Sequence, residues 1–208
     1  SSITKETVTV IGAGRTDAGV HAVGQVVSFK TRGTIPTEKI PVAINSLLPR
    51  DIVVTEACEA ASEFHARYSA KSRTYNYVVL NQDAPSAIFG RYSWCVPHEL
   101  DLAAMRRAAK YLVGVHDFTS FSLGGDAESH TRELTRLAVS RSGEFVIFEI
   151  AADAFLRGMA RIIVGTLVEV GLGSREAGDA KKILEARDRR LAGRAAPAKG
   201  LVLVEVGY

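Results

Sequence analysis

Gly12-Ala13-Gly14-Arg15-Thr16-Asp17-Ala18-Gly19-Val20-His21-Ala22 sets one carboxylate beside one guanidinium in a glycine-rich turn. The alternating run Val8-Thr9-Val10-Ile11 precedes it, and residues 23–29 read as another strand. A charged pair on a loop between two strands is a place for chemistry, because a rigid scaffold aims loop side chains. Glycine-rich turns after a strand also hold dinucleotides and phosphates. A dinucleotide fingerprint would continue Gly12-x-Gly14 with glycine at position 17, where Asp17 stands. A carboxylate there repels a pyrophosphate, and no helical pattern follows, so that reading fails. A phosphate loop fails too, since no Gly-Lys-Ser/Thr follows. The plainest alternative is an aspartate that only hydrogen-bonds its own turn backbone.

Working outward, the chain has 208 residues, enough for one large domain or two small ones. Its 47% hydrophobic and 24% charged residues are ordinary for a soluble globular protein. No apolar run approaches membrane-spanning length and no signal peptide opens the chain. No membrane partner is therefore expected, and the expected location is cytoplasmic. Cys58 and Cys95 form neither a metal-type spacing nor a disulfide framework, and their strand-like apolar contexts predict buried free thiols. His98, His116 and His130 show no ligand spacing with one another or with the cysteines, so no metal is expected.

A net charge of +3 and a pI near 8.9 lean only mildly toward nucleic acid. Local distribution says more. Between residues 64 and 82 there is no acidic side chain, while His65, Arg67, Lys71 and Arg73 interleave with Phe64, Tyr68, Tyr75 and Tyr77. Cations neutralise phosphates and aromatic faces stack on bases. A solvated strand face over core aromatics explains the same pattern.

Strand patterns fall at residues 7–11, 23–30, 52–57, 74–80, 92–96, 134–140, 145–151 and 201–206. Arg141-Ser142-Gly143-Glu144 reads as a hairpin turn. Helical periodicity falls at residues 37–48, 102–113, 156–170 and 176–187, with Thr37 and Asp101 as caps of the first two. Hairpin succession and long gaps between helices favour an α+β fold with a mainly antiparallel sheet. Residues 123–130 are polar and glycine-bearing and read as a mobile loop.

Gly14 to Ala22, with Gly24-Gln25-Val26, resembles the signature of the TruA family of tRNA pseudouridine synthases. Phe64-His65-Ala66-Arg67-Tyr68-Ser69-Ala70 followed by Arg73-Thr74-Tyr75-Asn76-Tyr77 resembles the family's second motif. Phe155-Leu156 with Met159-Ala160-Arg161-Ile162-Ile163-Val164-Gly165-Thr166-Leu167 resembles the third. Short matches at His116-Asp117-Phe118-Thr119-Ser120-Phe121 and at Gly200-Leu201 extend the resemblance over nearly the whole chain. It implies two ferredoxin-like halves sharing a mainly antiparallel central sheet with helices packed on it. Residues 1–97 would be the catalytic half and 98–208 the half carrying the arginine helix, with the active-site cleft between. It also implies a strand and a helix ahead of the catalytic strand, which this sequence lacks; Trp94 is its only tryptophan.

The implied activity is isomerisation of uridine to pseudouridine at positions 38, 39 and/or 40 of the tRNA anticodon stem-loop. No cofactor is implied, because an ionised carboxylate serves either as nucleophile at C1′ or as base toward a sugar proton. Asp17 matches the catalytic aspartate and Arg161 the arginine that approaches it. Arg161 sits on an otherwise apolar helix, where a charge needs a partner; snorkelling to solvent is the alternative. Tyr75 matches the tyrosine that packs on the target base. Arg15 matches the residue that fills the space, or holds the phosphate, beside a flipped-out nucleotide; a salt bridge to Asp17 is its plainer role. His21 is a candidate phosphate contact or equally a turn-stabilising histidine, Arg67, Lys71 and Arg73 are candidate backbone contacts, and Tyr77 is a core neighbour of Tyr75. The implied partners are tRNA and a second copy of the chain in a homodimer. An inactive RNA-binding paralogue or fragment, and a nucleotide-dependent enzyme using the glycine-rich turn, are the alternatives.

Overall fold

The computed structural model describes residues 6–125 and 128–208. In chain order its strands are β1 (Ile11–Gly12), β2 (His21–Ala22), β3 (Val27–Ser28), β4 (Ser72–Leu80), β5 (Trp94–Cys95), β6 (Gly114–Asp117), β7 (Thr131–Ser142), β8 (Phe145–Ala152) and β9 (Leu201–Gly207). Its helices are α1 (Ile40–Asn45), α2 (Leu102–Lys110), α3 (Met159–Gly171) and α4 (Asp179–Ala186). The chain forms two compact units, one of residues up to 14 together with 26–70, the other of residues 15–25 together with 71–208.

The first unit holds the antiparallel pair β1–β3, registered by Ile11↔Ser28 and Gly12↔Val27, and the short helix α1. The strands expected over 7–11 and 23–30 pair only at these few residues. The helix expected over 37–48 begins with a 3₁₀ turn, Thr37–Lys39, and becomes α-helical at Ile40 beside Pro41. A proline lacks the donor a helix interior needs but is tolerated in the first turn. Thr37 is not a cap: Pro36 precedes the turn, and the Thr37 hydroxyl donates to Glu59 Oε1 at 3.3 Å. Residues 52–57 form no strand. The Asn45 side chain donates to the Val54 carbonyl at 2.8 Å and accepts the Val54 N–H at 2.7 Å. Both main-chain groups of Val54 are thus taken by a side chain instead of a ladder. Cys58 follows this stretch and is exposed, against the expectation of a buried thiol.

The second unit is built on one seven-stranded sheet of order β2-β9-β4-β8-β7-β6, with β5 also paired to β4. All pairings are antiparallel except β2–β9 and β4–β5. The α+β, mainly antiparallel expectation is met. β4, β7, β8 and β9 fall where alternation places them, and Gly143-Glu144 closes the β7–β8 hairpin between Ser142 and Phe145. In β8 every second residue, Val146, Phe148, Ile150 and Ala152, is buried, as a strand with one face on the core requires. Cys95, at the β5 edge, is half-buried rather than buried.

α3 supplies the other side of the core. Its only residues that are not buried are Arg161 and Glu169, the two charged ones. It starts at Met159 and not at 156 because Gly158, at φ +74°, is left-handed. Asp101 caps α2, its Oδ1 accepting the Ala104 N–H at 2.9 Å. β6, a four-residue edge strand pairing His116↔Arg132, carries no alternating apolar signal. In the 123–130 stretch, expected to be a mobile loop, residues 126 and 127 lie outside the described residues.

Candidate active site

Asp17 lies in the loop leading into β2. Its carbonyl accepts the Val20 N–H at 3.0 Å across a tight turn in which Gly19 takes φ +82°. That dihedral is open to glycine at no steric cost. The loop is then tied to β9: His21 and Ala22 pair with Val202 and Leu203, and the Val23 and Gly24 N–H groups both donate to the Leu203 carbonyl. β9 carries a bulge here, Thr74 facing Glu205 while Tyr75 faces Leu203. A bulge re-aims neighbouring side chains, and this one sits at Tyr75.

The Asp17 carboxylate is engaged by Arg161, whose Nη1 donates to Oδ2 at 2.7 Å. The two side chains are 33% and 19% exposed, so the pair is partly withdrawn from water. Arg161 is fixed from a second direction, its Nε donating to the Ala196 carbonyl at 2.7 Å. Its partner is Asp17, so it does not snorkel. Arg15, on the same loop, is exposed, and the carboxylate is held by Arg161 instead.

Tyr75 on β4 is 8% exposed and meets the Phe155 ring edge-on, centroids 4.9 Å apart. Burial pushes its phenol above the usual tyrosine range, the Arg73 cation opposes this, and the Asp17 carboxylate adds to it. The influence of Asp17 on the Tyr75 phenol puts both groups in one electrostatic neighbourhood. Arg73 donates from Nη1 to the Asp153 carbonyl at 2.9 Å. Lys71 is exposed, its N–H bound to the Gly207 carbonyl at 2.8 Å. Arg67 belongs to the first unit, where its guanidinium lies over the Tyr68 ring at 5.5 Å.

His21 leads to a group that sequence reasoning missed. Its Nε2 is 3.0 Å from the Arg91 carbonyl, and its ring is 4.9 Å from that of Tyr92. Lys199 Nζ donates to the Gly90 carbonyl at 2.7 Å, and the Arg194 guanidinium lies 5.7 Å from the Trp94 ring centroid. Residues 84–98 and 189–204 contain no Asp or Glu, which is the signal that would have found them. These contacts bring Arg91, Tyr92 and Lys199, all exposed, together with His21 at the end of the Asp17 loop. A wide concavity of about 1040 Å³ lies elsewhere, lined by Glu99, Asp101, Arg107, Arg141, Arg175 and Glu176. It holds none of the expected site residues, and its mixed charge suits neither phosphate nor a base.

Among the described residues no three His, Cys, Asp or Glu side chains gather as a metal site requires. Among them, too, no helix is long and apolar enough to cross a membrane.

A family model described as tRNA pseudouridine synthase matches residues 1–69 and 108–208. The chain is 48% identical over 207 residues to tRNA pseudouridine synthase A of Acetivibrio thermocellus, covering 99% of this chain and 85% of that protein. To the same-named protein of Moorella thermoacetica it is 49% identical over 207 residues, covering 99% and 84%. Halalkalibacterium halodurans has one 46% identical over 194 residues, covering 93% and 74%. An α+β sheet unit, a carboxylate–guanidinium pair, a buried tyrosine on the central sheet, and likeness of this extent converge: the chain belongs to the tRNA pseudouridine synthase A family of isomerases.

Proposed function

We propose that this protein isomerises uridine to pseudouridine at positions 38, 39 and/or 40 of the tRNA anticodon stem-loop, with Asp17 as the catalytic group. The observation that carries the reading is the partly desolvated Asp17–Arg161 ion pair, its carboxylate on a loop whose strand β2 flanks β9 at Leu203 from the side opposite the buried Tyr75. In the reaction the C1′–N1 bond of uridine breaks, the base turns, a C1′–C5 bond forms, the C5 hydrogen leaves as a proton, and N1 takes up a proton, so that the product is an isomer of uridine. Asp17 acts at C1′ as nucleophile, or as base on a sugar proton; both roles need an oriented carboxylate, and the Arg161 hydrogen bond to Oδ2 at 2.7 Å supplies that orientation. Tyr75 offers a face to the base. A stem uridine must first leave the stack, at a cost of a few kcal/mol. Arg15 takes the place beside the vacated position.

His21, Lys71, Arg73 and Arg67 contact phosphates, joined on this reading by Arg91 and Lys199. Such contacts recognise shape and backbone, which suits several adjacent target positions. On the same reading residues 1–97 and 98–208 are two halves of one catalytic body, and two copies of the chain hold each tRNA.

The test is release of tritium from tRNA labelled at uridine C5, comparing parent protein with Asp17→Asn. The parent should release tritium and the variant none above background, while both bind tRNA. Release at parental rate by Asp17→Asn would remove Asp17 from the chemistry. Binding without release by the parent would favour an RNA-binding protein without activity.

A further inference from the structure

Residues 192–200 run back along α3 as a strap, and they meet it through backbone. The Gly193 N–H donates to Thr166 Oγ1 at 3.0 Å, and the Ala196 N–H donates to the Arg161 carbonyl at 2.9 Å. Gly165 makes the approach possible, since a Cβ there would stand 1.8 Å from the Arg194 carbonyl oxygen. Ala196 therefore exchanges two hydrogen bonds with Arg161, giving its N–H to the main chain and taking Nε at its carbonyl. The same guanidinium reaches Asp17 through Nη1.

The next carbonyl along the strap, that of Pro197, accepts the Tyr77 hydroxyl at 2.8 Å. Between these two carbonyls lie only φ and ψ of Pro197. The ring locks φ, here −53°, and the bond to Tyr77 fixes ψ, here 139°. Tyr77 itself has no freedom to give. It is fully buried, with Trp94 and Phe148 meeting its ring edge-on at 6.4 Å each. Burial also pushes its phenol well above the ordinary tyrosine range, so it stays a donor at working pH.

We propose that Tyr77 is a positioning residue for the reaction: through Pro197 it sets the direction of the Ala196 carbonyl, which aims Arg161 at Asp17. It touches neither substrate nor the reacting atoms. The inference rests on the reading of Asp17 and Arg161 given under Proposed function.

Tyr77→Phe keeps the ring and deletes the hydroxyl. Ser120→Ala is the matched control, because Ser120 is equally buried and its hydroxyl donates to the Ile183 carbonyl at 2.6 Å, off the strap. Two quantities are read well below both melting temperatures: steady-state kcat and KM for tRNA, and the Arg161 Nε–H signal in a ¹⁵N–¹H spectrum, assigned by its loss in Arg161→Lys. Tyr77→Phe should lower kcat about 10-fold with KM unchanged, the scale expected when a reacting group is slightly misplaced. Its Arg161 Nε–H should shift and exchange faster with water. Ser120→Ala should change neither. Pro197→Ala, which frees φ without touching Tyr77, should lower kcat in the same direction and serves if Tyr77→Phe does not fold. Parental kcat and an unmoved Nε–H signal in Tyr77→Phe, or in Pro197→Ala, would overturn the proposal. An active Asp17→Asn would instead overturn the site reading beneath it; a dead Asp17→Asn beside a fully active Tyr77→Phe would overturn the strap alone.

Discussion

Arg161 divides its guanidinium between two acceptors, a carboxylate at 2.7 Å and a carbonyl at 2.7 Å. An exposed ion pair gains little, because two long side chains must be held in one geometry against solvent. Here the carbonyl does the holding, and partial burial keeps the attraction from being screened. A different carboxylate shows how the same rules set stability. Asp117 accepts the Thr119 hydroxyl at 2.6 Å and the Thr119 N–H at 3.0 Å, and Arg187 Nε lies 3.2 Å away. The Thr119 hydroxyl above all, then its N–H and the nearby cations, hold Asp117 below the ordinary 3.8. A depressed folded value means the stabilisation is complete above 3.8 and is lost as pH falls through the folded value. Asp117→Asn should therefore be less stable than the parent in urea near neutral pH. The gap should close on acidification; a gap independent of pH would show that charge at 117 is not what stabilises. Asp17 and Arg161 were both legible as residues, since each stands in a distinctive run. Their contact was legible only through resemblance, because they are 144 residues apart and no periodicity reaches that far.

At the scale of elements, α3 is where packing overrides propensity. In an exposed helix, Gly→Ala is favourable by about 1 kcal/mol. At Gly165 the new Cβ would fall 1.8 Å from a backbone oxygen of the strap, and backbone cannot swing aside as a side chain can. Gly165→Ala should cost roughly 3 kcal/mol or more, by the overpacking route, in a urea titration. A stability equal to or above the parent's would mean that strap and helix do not pack as described. β4 and β8 were readable because each places alternate residues in the core, and β9 does so up to its bulge; β7 buries only Leu134 and Val139 and is carried by its β-branched content and hairpin turn. Residues 52–57 have the same β-branched alternation and fail as a strand, since Asn45 satisfies Val54 from a side chain. The expectation of a buried Cys58 fell with that strand. β6 was missed for the opposite reason: His116 and Asp117 make half of its four residues, and edge pairing needs no apolar alternation.

For the whole molecule a net charge of only +3 understates the field a polyanion would meet. Residues 18–25, 84–98 and 189–204 contain no Asp or Glu, and the His21–Arg91 and Lys199–Gly90 contacts join the three segments in the second unit. Each phosphate neutralised contributes a slope of about 0.7–0.9 to log affinity against log salt. Arg91→Ala with Lys199→Ala should weaken tRNA binding and flatten that slope by about 1–2, read by binding titrations at several salt concentrations. A weaker affinity with an unchanged slope would place these cations off the RNA backbone. Sequence alone showed one acid-free window and missed these segments, because they come together only on folding. The sheet order has a consequence in time as well. β9 lies between β2 and β4, so the strand that anchors the Asp17 loop is the last of the nine that a ribosome makes. At roughly 5–20 residues per second, the aspartate waits on the order of ten seconds for its anchor. Every nascent chain that stops short of β9 carries Asp17 without the strand that anchors its loop.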